Sequence, residues 1–352
     1  CTVSSAYVVG VDLGGTNVRA AVVSADGQIL GKPIENPSRG EEGAEATAQA
    51  VALTVHEAVA SAKVDVRRVG IAIPGTVDDA NGLVRWSPNL GKRVGDVFHY
   101  WKNVPFRDLL RAHLDLPMAM GNDANLAALG EYRFGLGRNS ADCLVMFTVG
   151  TGIGFGVVFG PSSLQGDVRG PALLLGGNKG GAEGGHMVIL RDGLDTTAGL
   201  YGTVEAYCQK DSIVKRAVYR LVRGRTSLLT ELCGGDLSNI TPRMLSEAAD
   251  KGDELAIQVW REVGSFLGLG IANAINLFAP SVVAIGGQIA KAGKWLLEPA
   301  IAVARDATIE SLWADVQTIA PAQCLEQAGV LGGAALALLQ SDGVRARELP
   351  GR

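Results

Sequence analysis

Hydrophobic positions along the chain fall into short runs of strand type and longer runs of helical spacing, punctuated by glycine. Tyr7 to Val11 is an apolar, β-rich run, Gly14-Gly15 supplies a turn, and Val18 to Val23 reads as a second strand. Asp26-Gly27 is a hairpin signal that leads into a third strand near 28–33. Glu41 to Ala62 carries Val51, Val55 and Val59 at helical spacing and predicts one long helix. Val69 to Ile73, closed by Pro74-Gly75, is another buried strand. Meandering strands, a helix and a further strand make an α/β half with a mixed sheet.

The same pattern then returns. Cys143 to Thr148 reads as a strand, Gly150-Thr151-Gly152-Ile153-Gly154 as a glycine turn and Phe155 to Phe159 as the return strand. A strand–glycine turn–strand unit that occurs twice predicts a duplicated fold. Helices are expected over 202–222, 241–249 and 253–277, and a buried strand, Val282 to Ile285, ends in Gly286-Gly287. Gly329 to Leu339 predicts a last helix that returns to the first half, and the polar tail after Gln340 should fray. The glycine-rich stretch 161–181 reads as a loop. The expected domains are 1–118, joined by a C-terminal helix from about 335 to 352, and 119–334.

Composition narrows the function. With 352 residues, 47% of them apolar, the chain can build two cores. A net charge of −4 and the lack of any Lys/Arg run argue against a nucleic-acid surface. No apolar run is long enough to span a bilayer. Five scattered cysteines without a CxxC pair read as reduced thiols of a cytoplasmic protein.

Asp12-Leu13-Gly14-Gly15-Thr16-Asn17 lies between two strands. Glycines there let backbone N–H groups close on a phosphate, Thr16 adds a hydroxyl, and Asp12 at the strand end can hold Mg²⁺. The dinucleotide fingerprint fails, because there is no GxGxxG and a strand follows where a helix should. An ordinary hairpin with a solvated Asp would show the same residues. The second glycine hairpin, Thr148 to Gly156, shifts the balance, since two such turns can clasp one triphosphate. Asn122-Asp123-Ala124-Asn125 precedes the Ala-rich helix 126–131, so Asp123 is either a helix cap or a base placed to take a proton from an alcohol. Glu183, His186 and Glu205 offer the carboxylate and imidazole groups that grip sugar hydroxyls, and Asn89 offers an amide in an expected loop, Trp86 to Leu90.

Taken together these segments resemble the ROK family (repressors, open reading frames and kinases), and within it the bacterial glucokinases, over nearly the whole chain. The resemblance implies an actin-like ATPase (ribonuclease H-like) fold of two domains with a cleft between them. It implies ATP-dependent phosphorylation of a hexose at its primary hydroxyl, with glucose as the first candidate. Fructose, mannose, N-acetylglucosamine and N-acetylmannosamine are the alternatives. Asp12, Gly14, Gly15, Thr16, Asn17, Thr148, Gly150, Thr151 and Gly152 correspond to the family's phosphate segments, and Gly286-Gly287 to the stretch against the adenosine. Asp123 corresponds to the general base, and Asn89, Asn122, Glu183, His186 and Glu205 to sugar ligands. ATP and Mg²⁺ are the expected cofactors, and a homodimer or homotetramer the expected assembly.

One departure stands out. Many members carry a CxCGxxGCxE segment that, with the motif His, binds structural zinc. The stretch Thr196 to Glu205 holds no cysteine, so zinc is not expected. The family's repressors carry an N-terminal helix-turn-helix, for which the six residues before Tyr7 leave no room, so a kinase is expected over a repressor.

Overall fold

The computed structural model describes residues 7–166, 170–196 and 199–341. The chain opens with a meander of β1 (Tyr7–Leu13), β2 (Asn17–Val23) and β3 (Ile29–Pro37). Next come α1 (Ala44–Ala62) and β4 (Val66–Ile73), which pairs parallel to β1. A three-stranded antiparallel sheet follows, formed by β5 (Thr76–Asp78), β6 (Leu83–Val94) and β7 (Val97–Val104). After the short α2 (Phe106–Arg111), β8 (Met118–Asn122) joins β4 in parallel and runs into α3 (Asp123–Phe134). The first sheet has the order β3-β2-β1-β4-β8.

The chain then repeats itself. β9 (Cys143–Val149) and β10 (Ile153–Phe159) form the second glycine hairpin, and β11 (Ala172–Leu173) pairs antiparallel with the far end of β10. Helices α4 (Val204–Cys208), α5 (Lys210–Val222), α6 (Leu229–Leu232), α7 (Pro242–Asp250) and α8 (Glu254–Phe278) lead to β12 (Val282–Gly286). Then come α9 (Lys294–Asp306), α10 (Glu310–Ala314), β13 (Thr318–Pro321) and finally α11 (Ala328–Ser341). The second sheet has the order β11-β10-β9-β12-β13, strand for strand the order of the first. The duplication expected from the glycine hairpins is therefore a duplication of sheet topology.

Contacts group the chain into two compact units. One holds the residues up to 141, 156–182 and those from 323 onward; the other holds 142–155 and 183–322. Compared with the expected 1–118 and 119–334, β8 and α3 fall in the first unit. β8 completes the first sheet through its ladder with β4, and α3 packs on α11. The tail from 342 onward, expected to fray, lies outside the described residues.

Two expectations change in detail. The stretch Trp86 to Leu90, expected as a loop, lies within β6. Its pairing with β7 jumps from Trp86↔Lys102 to Gly91↔Tyr100, so Pro88 sits in the irregular part, where no ladder N–H is required. The helix expected over 202–222 is two helices. The break is at Gln209, whose extended backbone (φ −68°, ψ 156°) lets the Lys210 N–H bond Gly150 O at 2.9 Å.

In the first unit, β1 is covered on both faces, as a central strand should be. Val9 and Val11 join α1 in one cluster, whereas Val8 joins α11 in another. Helix α11 approaches the sheet at glycines. A Cβ at Gly10 would stand 1.9 Å from Val330 O, and one at Gly70 would stand 1.9 Å from Gly333 O. These strands have no room for a methyl group. Gly70→Ala should therefore destabilise the protein by about 1–3 kcal/mol in chemical denaturation, as overpacked cores do. Gly177→Ala, whose added methyl meets nothing within 4 Å, should leave the midpoint unchanged.

Candidate functional site

In the first unit, Asp12 lies near the end of β1 and Asn122 ends β8, with β4 between them. Ligands of open α/β sheets bind beyond the carboxyl ends of parallel strands, and that is where these residues are. The turn after Asp12 closes through Gly14 N–H to Asn17 O at 2.9 Å. It is braced by Ser38, whose N–H bonds Thr16 O at 2.8 Å and whose hydroxyl bonds Gly15 O at 2.8 Å. Asn89 belongs to the same place, since a Cβ on Gly15 would come 2.8 Å from Asn89 O. Thr16 is exposed, and the Asn17 amide donates to Glu35 Oε1 at 2.7 Å.

Asn122, and not Asp123, caps α3. Its Oδ1 accepts from Asn125 N at 3.0 Å and its Nδ2 donates to Gly75 O at 3.0 Å. Asp123 is thus the first helical residue, half-buried, with Oδ1 accepting from Ala124 N at 2.8 Å. Burial pushes its pKa up, against the opposing pull of these backbone donors and the Asn122 side chain. The Asp12 carboxyl is pushed up to about 6, first by burial and next by the negative charge of Asp123, while Arg19 pulls it down. The rank order makes sense: two strand spacings separate β1 from β8, roughly 10 Å, where like charges repel by only about 1–2 kcal/mol.

Sequence reasoning passed over Glu131, eight residues along α3 from Asp123 and fully buried. Its Oε1 accepts from Leu136 N (2.9 Å) and Gln323 N (2.8 Å), and its Oε2 from Cys324 N (2.9 Å). It ties the end of α3 to the segment leading into α11. That helix starts beside Asp12, where a Cβ on Gly329 would come within 2.3 Å of the carboxyl carbon. A lone Glu among alanines gives no hint of this in the sequence.

In the second unit, the glycine turn Thr148 to Gly152 is flanked by two groups of residues. On one side Glu205 Oε2 accepts from Ile153 N at 2.9 Å, and Gly185 packs so tightly on Ile153 that a Cβ would lie 2.2 Å from its carbonyl oxygen. Glu183 is exposed and His186 half-buried on the same short turn. His186 Nδ1 is buried without a hydrogen-bond partner among the described residues. On the other side Gly286 pairs with Thr148, and Gly287, at φ 83°, abuts Val149.

A cavity of about 710 Å³ opens beside this turn, lined by Gly150, Thr151, Lys210, Thr241, Pro242, Arg243, Ser246, Trp260, Gln288, Ile289, Lys291 and Ala292. That size suits a drug-sized or nucleotide ligand. Its charged lining is all cationic (Lys210, Arg243, Lys291), and the N-terminus of α7, capped by Thr241, faces the same space. Both features favour an anion. Only Gly150 and Thr151 of this lining are motif residues; the rest come from α5, α7, α8 and the turn after Gly287.

Two sheets of one topology, each with a glycine hairpin after its first strand, define the actin-like ATPase fold. The chain belongs to the ROK family, whose profile matches residues 8–340. It is 34% identical to a glucokinase of Thermotoga maritima over 94% of this chain and 96% of that one. It is 32% identical to a glucokinase of Streptomyces coelicolor, again over 94% and 96%. Among solved structures, a ROK family glucokinase from Streptomyces griseus in complex with glucose and AMPPNP superposes with a TM-score of 0.72. The two are 33% identical, over 94% of this chain and 99% of that one.

The raised pKa of Asp12 has a consequence for stability. A carboxyl that is harder to ionise when folded stabilises fully below its unfolded pKa near 3.8, and that contribution is lost as pH rises through about 6. In the ligand-free protein Asp12→Asn should therefore raise stability at pH 8 by roughly 1–3 kcal/mol. The gain should vanish near pH 4. Thermal unfolding of both proteins across this range measures it.

Proposed function

We propose that this chain transfers the γ-phosphoryl group of ATP to the primary hydroxyl of a hexose, with glucose as the preferred acceptor. The observation that carries the reading is Asp123: a half-buried carboxylate at the start of α3, raised in pKa by burial, two strands from a second carboxylate. A base poised closer to neutrality takes a proton from an alcohol more readily than an ordinary Asp does.

In this reading Asp123 accepts the hydroxyl proton as that oxygen attacks the γ-phosphorus. Asn89, Asn122, Glu183, His186 and Glu205 hold the sugar, and their anchoring is part of the chemistry. Asn122 is fixed as the α3 cap and Glu205 by the Ile153 N–H, so each presents its remaining polar capacity in one orientation. Each glycine turn, 12–17 and 148–152, offers backbone N–H groups of the kind that bind phosphate. The cavity beside Gly150, whose cationic lining favours an anion, receives the nucleotide.

Asp12 fits Mg²⁺, because a carboxyl raised by burial and by a neighbouring charge regains its ionised form when a cation arrives. Bound there, the ion would supply charge neutralisation at the transferring phosphoryl group. The same reading carries the expectation of a cytoplasmic homodimer or homotetramer, which light scattering measures.

A coupled ADP-release assay with ATP–Mg²⁺ over a panel of hexoses and amino sugars tests the proposal. Turnover on glucose well above the rest is expected; a different best sugar reassigns the acceptor, and silence across the panel rejects the kinase reading. Asp123→Asn should lower kcat by about 10²–10⁴ while the hexose KM stays within a few-fold. Near-normal turnover in that variant would remove Asp123 from the mechanism.

A further inference from the structure

The family resemblance implies, for many members, a zinc-held loop between the motif His and the last sugar-binding Glu, and this chain does not carry the donors for it. From Met187 to Val204 there is neither cysteine nor histidine. Among the described residues no group of three or more His, Cys, Asp or Glu side chains could hold a metal ion. His186 Nδ1 is buried without a hydrogen-bond partner among the described residues. The residues do not fit the metal.

The loop is closed by other means. Its ends meet through the backbone: Ile189 N and Leu190 N bond Gly202 O at 2.8 and 3.1 Å, and Val204 N bonds Met187 O at 3.0 Å. Beyond this base the chain forms a small hairpin of its own, in which Gly202 N bonds Leu194 O at 2.8 Å and Thr196 N bonds Leu200 O at 2.7 Å. The loop's own apolar side chains cannot support it, since Val188, Leu190, Leu194, Leu200 and Tyr201 are 43–57% exposed. What ties that hairpin to the helices is Tyr207, whose phenolic oxygen accepts from Leu194 N at 2.9 Å. The hydroxyl sits so close over Gly193 that a Cβ there would stand 2.2 Å from it. The ring is 4% exposed and stacks on Phe266 of α8 with centroids 4.1 Å apart and planes 21° apart. Arg216 of α5 lies 5.4 Å from the Tyr207 centroid and 5.1 Å from that of Phe266. Three helices thus fix one phenol, and the phenol anchors the loop's hairpin to them.

We infer that Tyr207 is a positioning residue that takes over the work of the metal, clasping the 187–202 loop and so orienting His186 and Glu205. Glu205 lies two residues before Tyr207 on α4, so the helix that anchors the clasp also carries the carboxylate. Thr203 caps that helix through Ala206 N at 3.2 Å, tying the loop's last residues to its first turn. The inference rests on the reading of His186 and Glu205 as sugar ligands.

Tyr207→Phe tests it, because the ring stack survives and only the acceptor goes. Loss of one hydrogen bond of about 1 kcal/mol converts to roughly a 3- to 10-fold effect. Hydrogen exchange of the Leu194 amide should speed by about that factor, and the hexose KM should rise by the same amount, with kcat and the ATP KM within about 2-fold. Metal analysis of the purified wild-type protein should find well under one zinc per chain. The inference fails if one zinc per chain is found, if exchange is unchanged, or if exchange rises while the hexose KM stays put. If the wild-type protein phosphorylates no hexose, the proposed function fails instead, and the exchange and zinc measurements still decide whether the clasp exists.

Discussion

Two carboxylates that would prefer water and distance are held half-buried at the ends of β1 and β8. Everything else in the first unit can be understood as what makes that arrangement tolerable. Burial is the main cost, and it is what lifts Asp12 to about 6. The mitigation is local: a helix begins at Asp123 with Asn122 as its cap, Ala124 N donates to the carboxylate, and Arg19 lies across the ladder from Asp12. A fold that keeps unfavourable charge at one point stores it for a ligand of opposite charge or for a proton in transit. Natural proteins accept such local losses where they do chemistry and recover them in the core.

The recovery is visible in how α11 is set. It lies on β1 and β4 at backbone distance because Gly10, Gly70 and Gly333 offer no side chains there, and it meets α3 where Gly130 faces Gly332. Glu131 then fixes the turn that feeds α11 through Gln323 N and Cys324 N, and with Leu136 N after α3 none of its oxygens is idle. A fully buried carboxylate is costly unless satisfied, and this one is satisfied by the chain segment it has to hold. The last helix of the chain thereby places its first turn beside Asp12.

Much of this was legible in the sequence, and what was legible had strong local causes. The two glycine hairpins show because turns impose their own residue types; their recurrence pointed to a duplicated fold, and the ROK resemblance supplied its class. Asn122-Asp123 shows because a helix start has a chemical signature, although the cap and the candidate base proved to be adjacent residues and not the same one. What stayed hidden has no local code. Trp86 to Leu90 lies within a strand because β7 pairs with Trp86 and Gly91 at its two ends, and Pro88 falls in the irregular part between them. The helix over 202–222 breaks at Gln209 because Lys210 N–H is drawn to Gly150 O, a contact across sixty residues of sequence. The cavity lining from α7 and α8 lies far along the chain from any motif, and Arg243 or Ser246 looks like ordinary helix surface until the fold brings it to the glycine turn.

In the clasp inferred for the loop before Glu205, a phenol stands where the family resemblance implies a metal. A metal holds a loop by strong bonds from several points; a phenol holds it by one hydrogen bond backed by stacking and packing. The second arrangement is weaker per contact, yet it places the restraint on the same helix as Glu205, so the distance from clasp to carboxylate is set by a helical turn and not by the loop's own conformation. Glu205 is in turn held by the Ile153 N–H at the second glycine hairpin. The carboxylate therefore has one oxygen tied to the turn that would hold phosphate and a backbone tied to the loop that carries His186. In the inferred clasp, displacing either restraint would move the same group, so the loop and the second glycine hairpin share Glu205 as a common point.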